Sequence, residues 1–180
     1  IDNRERKLMV QNVKKVGENR YRETFGRCFE EFTVGDTYEH RPGRTITKTD
    51  NTWFTLLTMN THPMHFDDEY AKASEFGKCI VCSPFTVALM VGMSVTDVSQ
   101  KAIANLGWED IKMTYPLFED DTLYAESKVL DKRESKSRPG AGIVTVETLG
   151  FNQDGKQVCS FVRKMLIAKQ GHSVEEKVNY

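Results

Sequence analysis

The sequence has no run of 18 apolar residues, the length a helix needs to cross a bilayer, so no membrane span is expected. It also lacks an excess of charge of either sign: 25 Lys and Arg stand against 26 Asp and Glu, a formal net charge of -1. An even balance removes the electrostatic footprint of a nucleic-acid binder. No apolar stretch follows the charged N-terminus, so no secretory leader is expected. That places the chain in a reducing compartment, the cytoplasm or an organellar matrix, with free thiols as the default. Cysteine is scarce at four residues, Cys28, Cys79, Cys82 and Cys159. Cys79 and Cys82 form a C-x-x-C, but a zinc site would need two more ligands at suitable spacing and no second pair exists. They read as buried apolar thiols, and no metal is expected. There is no internal repeat and no low-complexity segment.

The chain has 180 residues, of which 39% are hydrophobic and 28% charged. That is one globular domain, able to bury roughly 70% of its unfolded surface without disulfide staples. Residues 1–25 read as an extension, docked through Leu8, Met9 and Val13. Residues 26–170 form the domain and 171–180 a tail. Order is expected from Phe29 to Phe32, with a turn at Val34–Asp36. The alternation over Arg44–Lys48 predicts a strand. Trp53, Phe54, Leu56, Leu57 and Met59 then recur at helical spacing, with Thr49 as N-cap and Asp50 in the first turn; Pro63 stops the helix near Asn60. A short helix is expected over Asp68–Ala73. Ser83 and Pro84 read as a cap and a first helical position, opening a helix from Phe85 to Val95 that is apolar on nearly every face and must be enclosed. Strands are predicted over Ala104–Tyr115, Thr122–Lys132, Ile143–Phe151 and Lys156–Lys169, the last two joined by a hairpin loop at Asn152–Gly155. Long consecutive hairpin strands around one enclosed helix give an α+β fold with an antiparallel sheet.

Histidine is as scarce as cysteine: His40, His62, His65 and His172. Two of them fall in the eight residues from Asn60 to Asp67, in a turn just past a helix end. A His exchanges a proton near neutral pH, an amide orients a water, and a carboxylate fixes a tautomer. Loops on a rigid scaffold concentrate such groups. The residues alone leave two readings open, a catalytic loop or a structural and solvated one.

The run Asn60-Thr61-His62-Pro63-Met64-His65-Phe66-Asp67 resembles the hydratase motif of the MaoC-like family of (R)-specific enoyl-CoA hydratases, Asp-x-Asn-Pro-(Leu/Ile)-His followed by an apolar residue and Asp. The resemblance runs from about Phe29 to Lys169. It takes in Phe76–Ser83 before the apolar helix and Tyr115–Thr122 before a long strand. Gly92–Gln100, Ala102–Trp108 and Arg133–Glu147 are similar to the subgroup acting on mesaconyl-CoA or itaconyl-CoA. The resemblance implies a hotdog fold, a curved antiparallel sheet wrapped around one long helix, with sites at a homodimer interface. It implies a lyase that reversibly hydrates a 2-enoyl-CoA, with CoA as part of the substrate and no other cofactor.

Two departures of the motif from the family bear on the chemistry, for Asn60 stands at the catalytic Asp and His62 at the Asn. His65 matches the catalytic His. The oxyanion N–H falls on Ser83, at a helix N-terminus where the dipole favours a developing anion. An amide cannot trade protons near pH 7, so His65 would serve as base and then acid, with Asn60 holding the water, or His62 or Asp67 would supply the second group. Lys112, Arg133, Lys136 and Arg138 are candidates for CoA, and Arg44 for a substrate carboxylate. The expected assembly is a homodimer or a dimer of dimers. The alternatives are a hotdog thioesterase, disfavoured by the lack of a carboxylate between Phe85 and Thr96, and a non-catalytic acyl-CoA-binding protein, suggested by Asn60.

Overall fold

The computed structural model describes residues 13–180. Strands β1 (Val13–Gly17) and β2 (Arg20–Glu23) pair as a small antiparallel hairpin of their own. Val13, expected to dock, is exposed instead; Leu8 and Met9 lie outside the described residues. The main sheet is built from β3 (Thr37–Thr45), β4 (Ala102–Met113), β5 (Thr122–Glu134), β6 (Ala141–Phe151) and β7 (Gln157–Ala168) in the order β3-β5-β6-β7-β4. All of its ladders are antiparallel. The helices are α1 (Lys48–Leu57), α2 (Asp68–Lys72), α3 (Ser83–Met93) and a short C-terminal α4 (Val174–Lys177). The α+β reading of one antiparallel sheet against one apolar helix therefore holds.

Alternation sets the inner face of the sheet. On β6 the even residues Val144, Val146 and Thr148 are buried, and on β7 the odd residues Cys159, Phe161, Arg163, Met165 and Ile167. Helix α3 lies against this face. A Cβ on Gly150 would come 2.7 Å from Met90 Sδ, so the end of the Met90 side chain would have to shift to accept one.

Several sequence expectations move. The strand predicted at Arg44–Lys48 lies mostly upstream, in β3, because Thr47 caps α1 in place of Thr49. Thr47 Oγ1 accepts from the Asp50 N–H at 3.2 Å and the Asp50 carboxylate accepts from the Thr47 N–H at 2.9 Å, a reciprocal capping box. At α3 the N-cap is Cys82, so Ser83 and Pro84 are the first two helical residues. The helix ends at Met93, and one π turn (Val95–Ser99) follows. Nor is α3 enclosed within one chain: Thr86 and Met90 are buried, whereas Pro84, Ala88 and Gly92, four residues apart, stay exposed on one stripe.

The core is divided. One apolar cluster includes Val81, Met90, Leu117, Leu123 and Phe161, and a second includes Phe32, Val98, Val129, Val144 and Ile167. A row of fully buried polar side chains crosses the inner face: His40 on β3, Ser127 on β5, Thr148 on β6 and Arg163 on β7. His40 Nδ1 donates to Asp97 Oδ2 at 2.9 Å. Its Nε2 accepts from the Ser127 hydroxyl at 2.8 Å, which leaves Thr148 to donate to Ser127 at 2.8 Å. Arg163 donates from Nη2 to Ser94 Oγ at 2.9 Å, while its Nε and Nη1 have no hydrogen-bond partner. Burial pushes this guanidinium down to about 10.

Candidate active site

Helix α1 ends in a Schellman motif. Met59 takes a left-handed φ of 58°, and the Asn60 N–H donates back to the Thr55 carbonyl at 3.0 Å. This reversal launches the histidine-bearing segment. Asn60 Oδ1 accepts from the His62 N–H at 2.9 Å, and His62 Nδ1 accepts from the Met64 N–H at 3.1 Å. Both bonds tighten the turn that carries Pro63–His65, a 3₁₀ turn with Pro at its start.

His65 is half-buried, and its Nδ1 lies 3.0 Å from the Ile80 carbonyl oxygen. A carbonyl only accepts, so the proton sits on Nδ1 and the Nε2 lone pair is free, as a general base requires. His62 is exposed, with its ring centroid 5.9 Å from that of His65 and its Nδ1 already spent within the turn. Asp67 caps α2, its Oδ1 accepting from the Glu69 and Tyr70 N–H groups at 3.0 and 3.1 Å.

The run Ile80–Pro84 faces this turn. The Val81 N–H donates to the Leu117 carbonyl at 2.7 Å, and the Cys82 N–H to Asn51 Oδ1 at 2.9 Å. Pro84 has no N–H, and that of Phe85 returns to the Cys82 carbonyl at 2.9 Å. Among the described residues the N–H of Ser83 has no acceptor, and it opens the N-terminus of α3. Asn60 reaches the same turn, with its Nδ2 3.6 Å from Cys82 Sγ. The three residues expected to act together, Asn60, His65 and Ser83, thus converge on one strand-to-helix turn. A pocket of about 230 Å³ opens beside Ser83, lined by Phe76, Ile80, Thr86, Met113 and Tyr115 among others. Thr86 Oγ1 is buried there with no hydrogen-bond partner.

Asn51 was not singled out in the sequence. It is fully buried on α1 and donates from Nδ2 to the carbonyls of His65 at 2.9 Å and Ile80 at 3.1 Å. A polar side chain four residues before Thr55, both of them inward, is the signal that was available. The apolar residues that announced this helix turn outward instead: Trp53 is 69% exposed, Leu57 79% and Met59 88%. The inner face of α1 meets irregular backbone whose carbonyls need donors, and the Asn51 amide supplies them, whereas the Thr55 hydroxyl is buried beside it with no hydrogen-bond partner. Behind Asn51, burial holds the Glu119 carboxyl above its ordinary range, and its Oε1 has no partner. Burial likewise raises the Cys79 thiol to about 11, helped by Asp68. All four cysteines are free and buried, as read from the sequence.

The proposed cations do not gather at this site. Arg44 is spent on Asp50, with Nη2 at 2.9 and 3.0 Å from the two carboxylate oxygens. Arg133, Lys136 and Arg138 lie at the β5–β6 turn, at the far end of β5 from Thr122, roughly 40 Å along the strand. A charged hairpin turn is favoured by solvation alone, so their position carries no argument for a role in binding CoA. Lys112 is exposed and follows the strand towards Met113 in the pocket wall.

The family model described as mesaconyl-CoA hydratase matches residues 11–176. Mesaconyl-CoA hydratase from Cereibacter sphaeroides is 34% identical over 145 residues, which cover 81% of this chain and 42% of that protein. The chain therefore spans about two fifths of the length of the curated relatives that it matches. A MaoC-like dehydratase from Rhodospirillum rubrum, known from its crystal structure, is 28% identical with a TM-score of 0.72, covering 81% of this chain and 99% of that one. A Mycobacterium tuberculosis protein described as a double hotdog fold superposes with a TM-score of 0.74 at 18% identity, over 81% of this chain and 45% of that one.

Proposed function

The chain belongs to the mesaconyl-CoA hydratase family, with a MaoC-like hotdog fold, and from that premise we propose that it reversibly hydrates a 2-enoyl-CoA thioester whose acyl part is a branched C5 dicarboxylyl group of the mesaconyl type. The observation that carries this reading is the run Ile80–Pro84. At one end its Ile80 carbonyl accepts the hydrogen bond from His65 Nδ1–H, and at the other its Ser83 N–H is left unpaired.

In the forward direction His65 Nε2 takes a proton from water, and the water oxygen bonds to Cβ of the enoyl group. The electron pair of the double bond moves to the thioester oxygen, where the Ser83 N–H and the α3 N-terminus stabilise the enolate. His65 then returns its proton to Cα. Asn60 has no proton to trade. The second lone pair of its Oδ1 accepts from the attacking water, while the first stays with the His62 N–H. The acyl group enters the pocket beside Ser83, with the Thr86 hydroxyl available to its polar end.

The assembly is a homodimer. Edge strand β4 leaves its outer backbone groups unpaired and its apolar side chains exposed, among them Leu106 at 51% and Ile111 at 51%. The Pro84–Ala88–Gly92 stripe of α3 is open, and a Cβ on Gly92 would meet nothing within 4 Å. A second copy pairing along β4 covers both surfaces.

The test is a CoA-thioester assay on purified protein with mesaconyl-CoA and an unbranched 2-enoyl-CoA. Loss of enoyl absorbance without release of free thiol supports hydration. Thiol release would mean a thioesterase, and neither signal would mean a binding protein.

A further inference from the structure

We infer that Asn51 is the positioning residue of this site: one buried amide holds His65 in its Nδ1–H tautomer and ties that histidine to the turn that presents the Ser83 N–H. Its kinetic consequence rests on the hydratase reading above; its structural consequence does not.

The two reacting parts come from segments that are otherwise independent. His65 lies in the turn after α1, and Ser83 begins α3, with α2 between them. Hydration of a conjugated thioester needs both parts at a fixed separation, because the base acts at Cβ while the oxyanion donor acts at the carbonyl of the same rigid acyl group. Asn51 spans them with every hydrogen-bonding hydrogen it has. One Nδ2 hydrogen goes to the His65 carbonyl at 2.9 Å, fixing the backbone that carries the ring. The other goes to the Ile80 carbonyl at 3.1 Å, the same oxygen that accepts His65 Nδ1–H at 3.0 Å. That oxygen has two lone pairs, and these two donors fill them. It is thereby held where only an Nδ1–H can meet it. Asn51 Oδ1 accepts the Cys82 N–H at 2.9 Å, which orients the peptide immediately before the Ser83 donor.

Asn is a poor residue for a helix interior, and a fully buried amide repays its desolvation only when its polar atoms are matched. Here the three hydrogen bonds lead to the two halves of one site, and the Glu119 carboxyl lies against the same amide. The Val81 N–H to Leu117 bond and the Ile80–Phe118 bridge anchor the far side of the turn to the sheet margin. The clamp therefore works against a fixed support.

The test uses ¹⁵N-resolved NMR of the histidine rings in the whole protein, with steady-state kinetics alongside. In the wild type the neutral His65 ring is expected to carry its proton on Nδ1; an Nε2–H ring would overturn the inference without any variant being made. Asn51→Asp keeps the size and the acceptor for the Cys82 N–H but loses both donors and sets a second carboxyl beside Glu119. It is expected to shift His65 towards the Nε2–H tautomer and to lower kcat about 10²-fold, the cost of a small misplacement, with KM little changed. Asn51→Leu removes all three bonds and is expected to shift the tautomer further. A folded Asn51→Asp protein with unchanged tautomer and turnover overturns the inference. A wild-type protein inactive on every 2-enoyl-CoA refutes the hydratase reading, and the tautomer measurement still decides the role of Asn51.

Discussion

His65 makes one ring hydrogen bond, to the Ile80 carbonyl, and is only half-buried. His65→Ala is therefore expected to cost about 1 kcal/mol, a fall in Tm of about 2–4 °C. Turnover should fall roughly 10²–10⁴-fold, the usual contribution of a general acid–base group. Stopped catalysis with a near-normal melting curve supports the assignment, and retained turnover sinks it. Asn60 differs because its Oδ1 holds the turn as well as facing the site. Asn60→Ala loses the bond to the His62 N–H, so both Tm and rate should drop, the rate by about 10²–10³-fold. Asn60→Asp keeps that acceptor and adds a titratable group beside both histidines, so it should melt near the wild type and stay active. A rate per folded molecule unaffected by Asn60→Ala would leave the residue a purely structural cap. The motif resemblance pointed to His65, Asn60 and Ser83 because each sits where a family pattern has a counterpart. Asn51 escaped notice because its partners are main-chain carbonyls and an N–H, which carry no sequence signature.

Among the elements, α1 depends most on a few polar atoms. Thr47 and Asp50 cap it reciprocally, and its inner face is held by the Asn51 amide and by the stacking of Phe54 on Phe85, while Trp53, Leu56 and Leu57 face outward. Thr47→Ala is expected to cost about 1 kcal/mol and to lower Tm by about 2–4 °C. Because α1 also carries Asn51, the same substitution should loosen the site and reduce kcat more than its stability loss alone would. Unchanged kcat at a temperature well below the melting transition would separate the helix from the site. The strands were the readable part of the fold. Alternation over Ile143–Phe151 and Lys156–Lys169 marks β6 and β7 to within two residues at each end, because one face is buried along their whole length. Helix α1 was found from its apolar residues, yet of these only Phe54 packs inward, against Phe85, and Trp53, Leu56, Leu57 and Met59 are exposed. Hydrophobic spacing reports a helix, and says nothing about which side meets irregular backbone. The open stripe on α3 was missed for a related reason: residues apolar all round do not say whether their own chain or another covers them.

For the molecule as a whole, the buried polar row sets a dependence on pH. Burial pushes the His40 imidazole below its ordinary 6.5, outweighing the pull of Asp97, and the nearby Arg163 and Arg27 push it the same way. Between that lowered value and 6.5 the unfolded chain binds a proton that the folded one refuses. Stability should therefore fall as pH drops through 6.5 and level off below the folded value. Urea unfolding between pH 7.5 and pH 5 (roughly the range over which an ordinary His titrates) checks the slope. His40→Asn should flatten it while lowering stability at the upper end; a wild-type slope that survives the substitution assigns the effect elsewhere. Arg163 has two buried nitrogens, Nε and Nη1, whose hydrogens have no acceptors. Arg163→Met should accordingly raise stability or leave it level, since an apolar side chain of similar length forgoes the desolvation of a charge with no carboxylate opposite. The row has a consequence for motion too. Because it interrupts apolar packing from β3 to β7, the two ends of the core are expected to behave as separate cooperative units, each with its own opening free energy in native-state hydrogen exchange. The unit containing Val81 and Leu117 supports the turn at Ser83, so under the proposed hydratase reading that turn would admit and release a bulky thioester by sub-global opening while the end containing Phe32 and Ile167 stays closed.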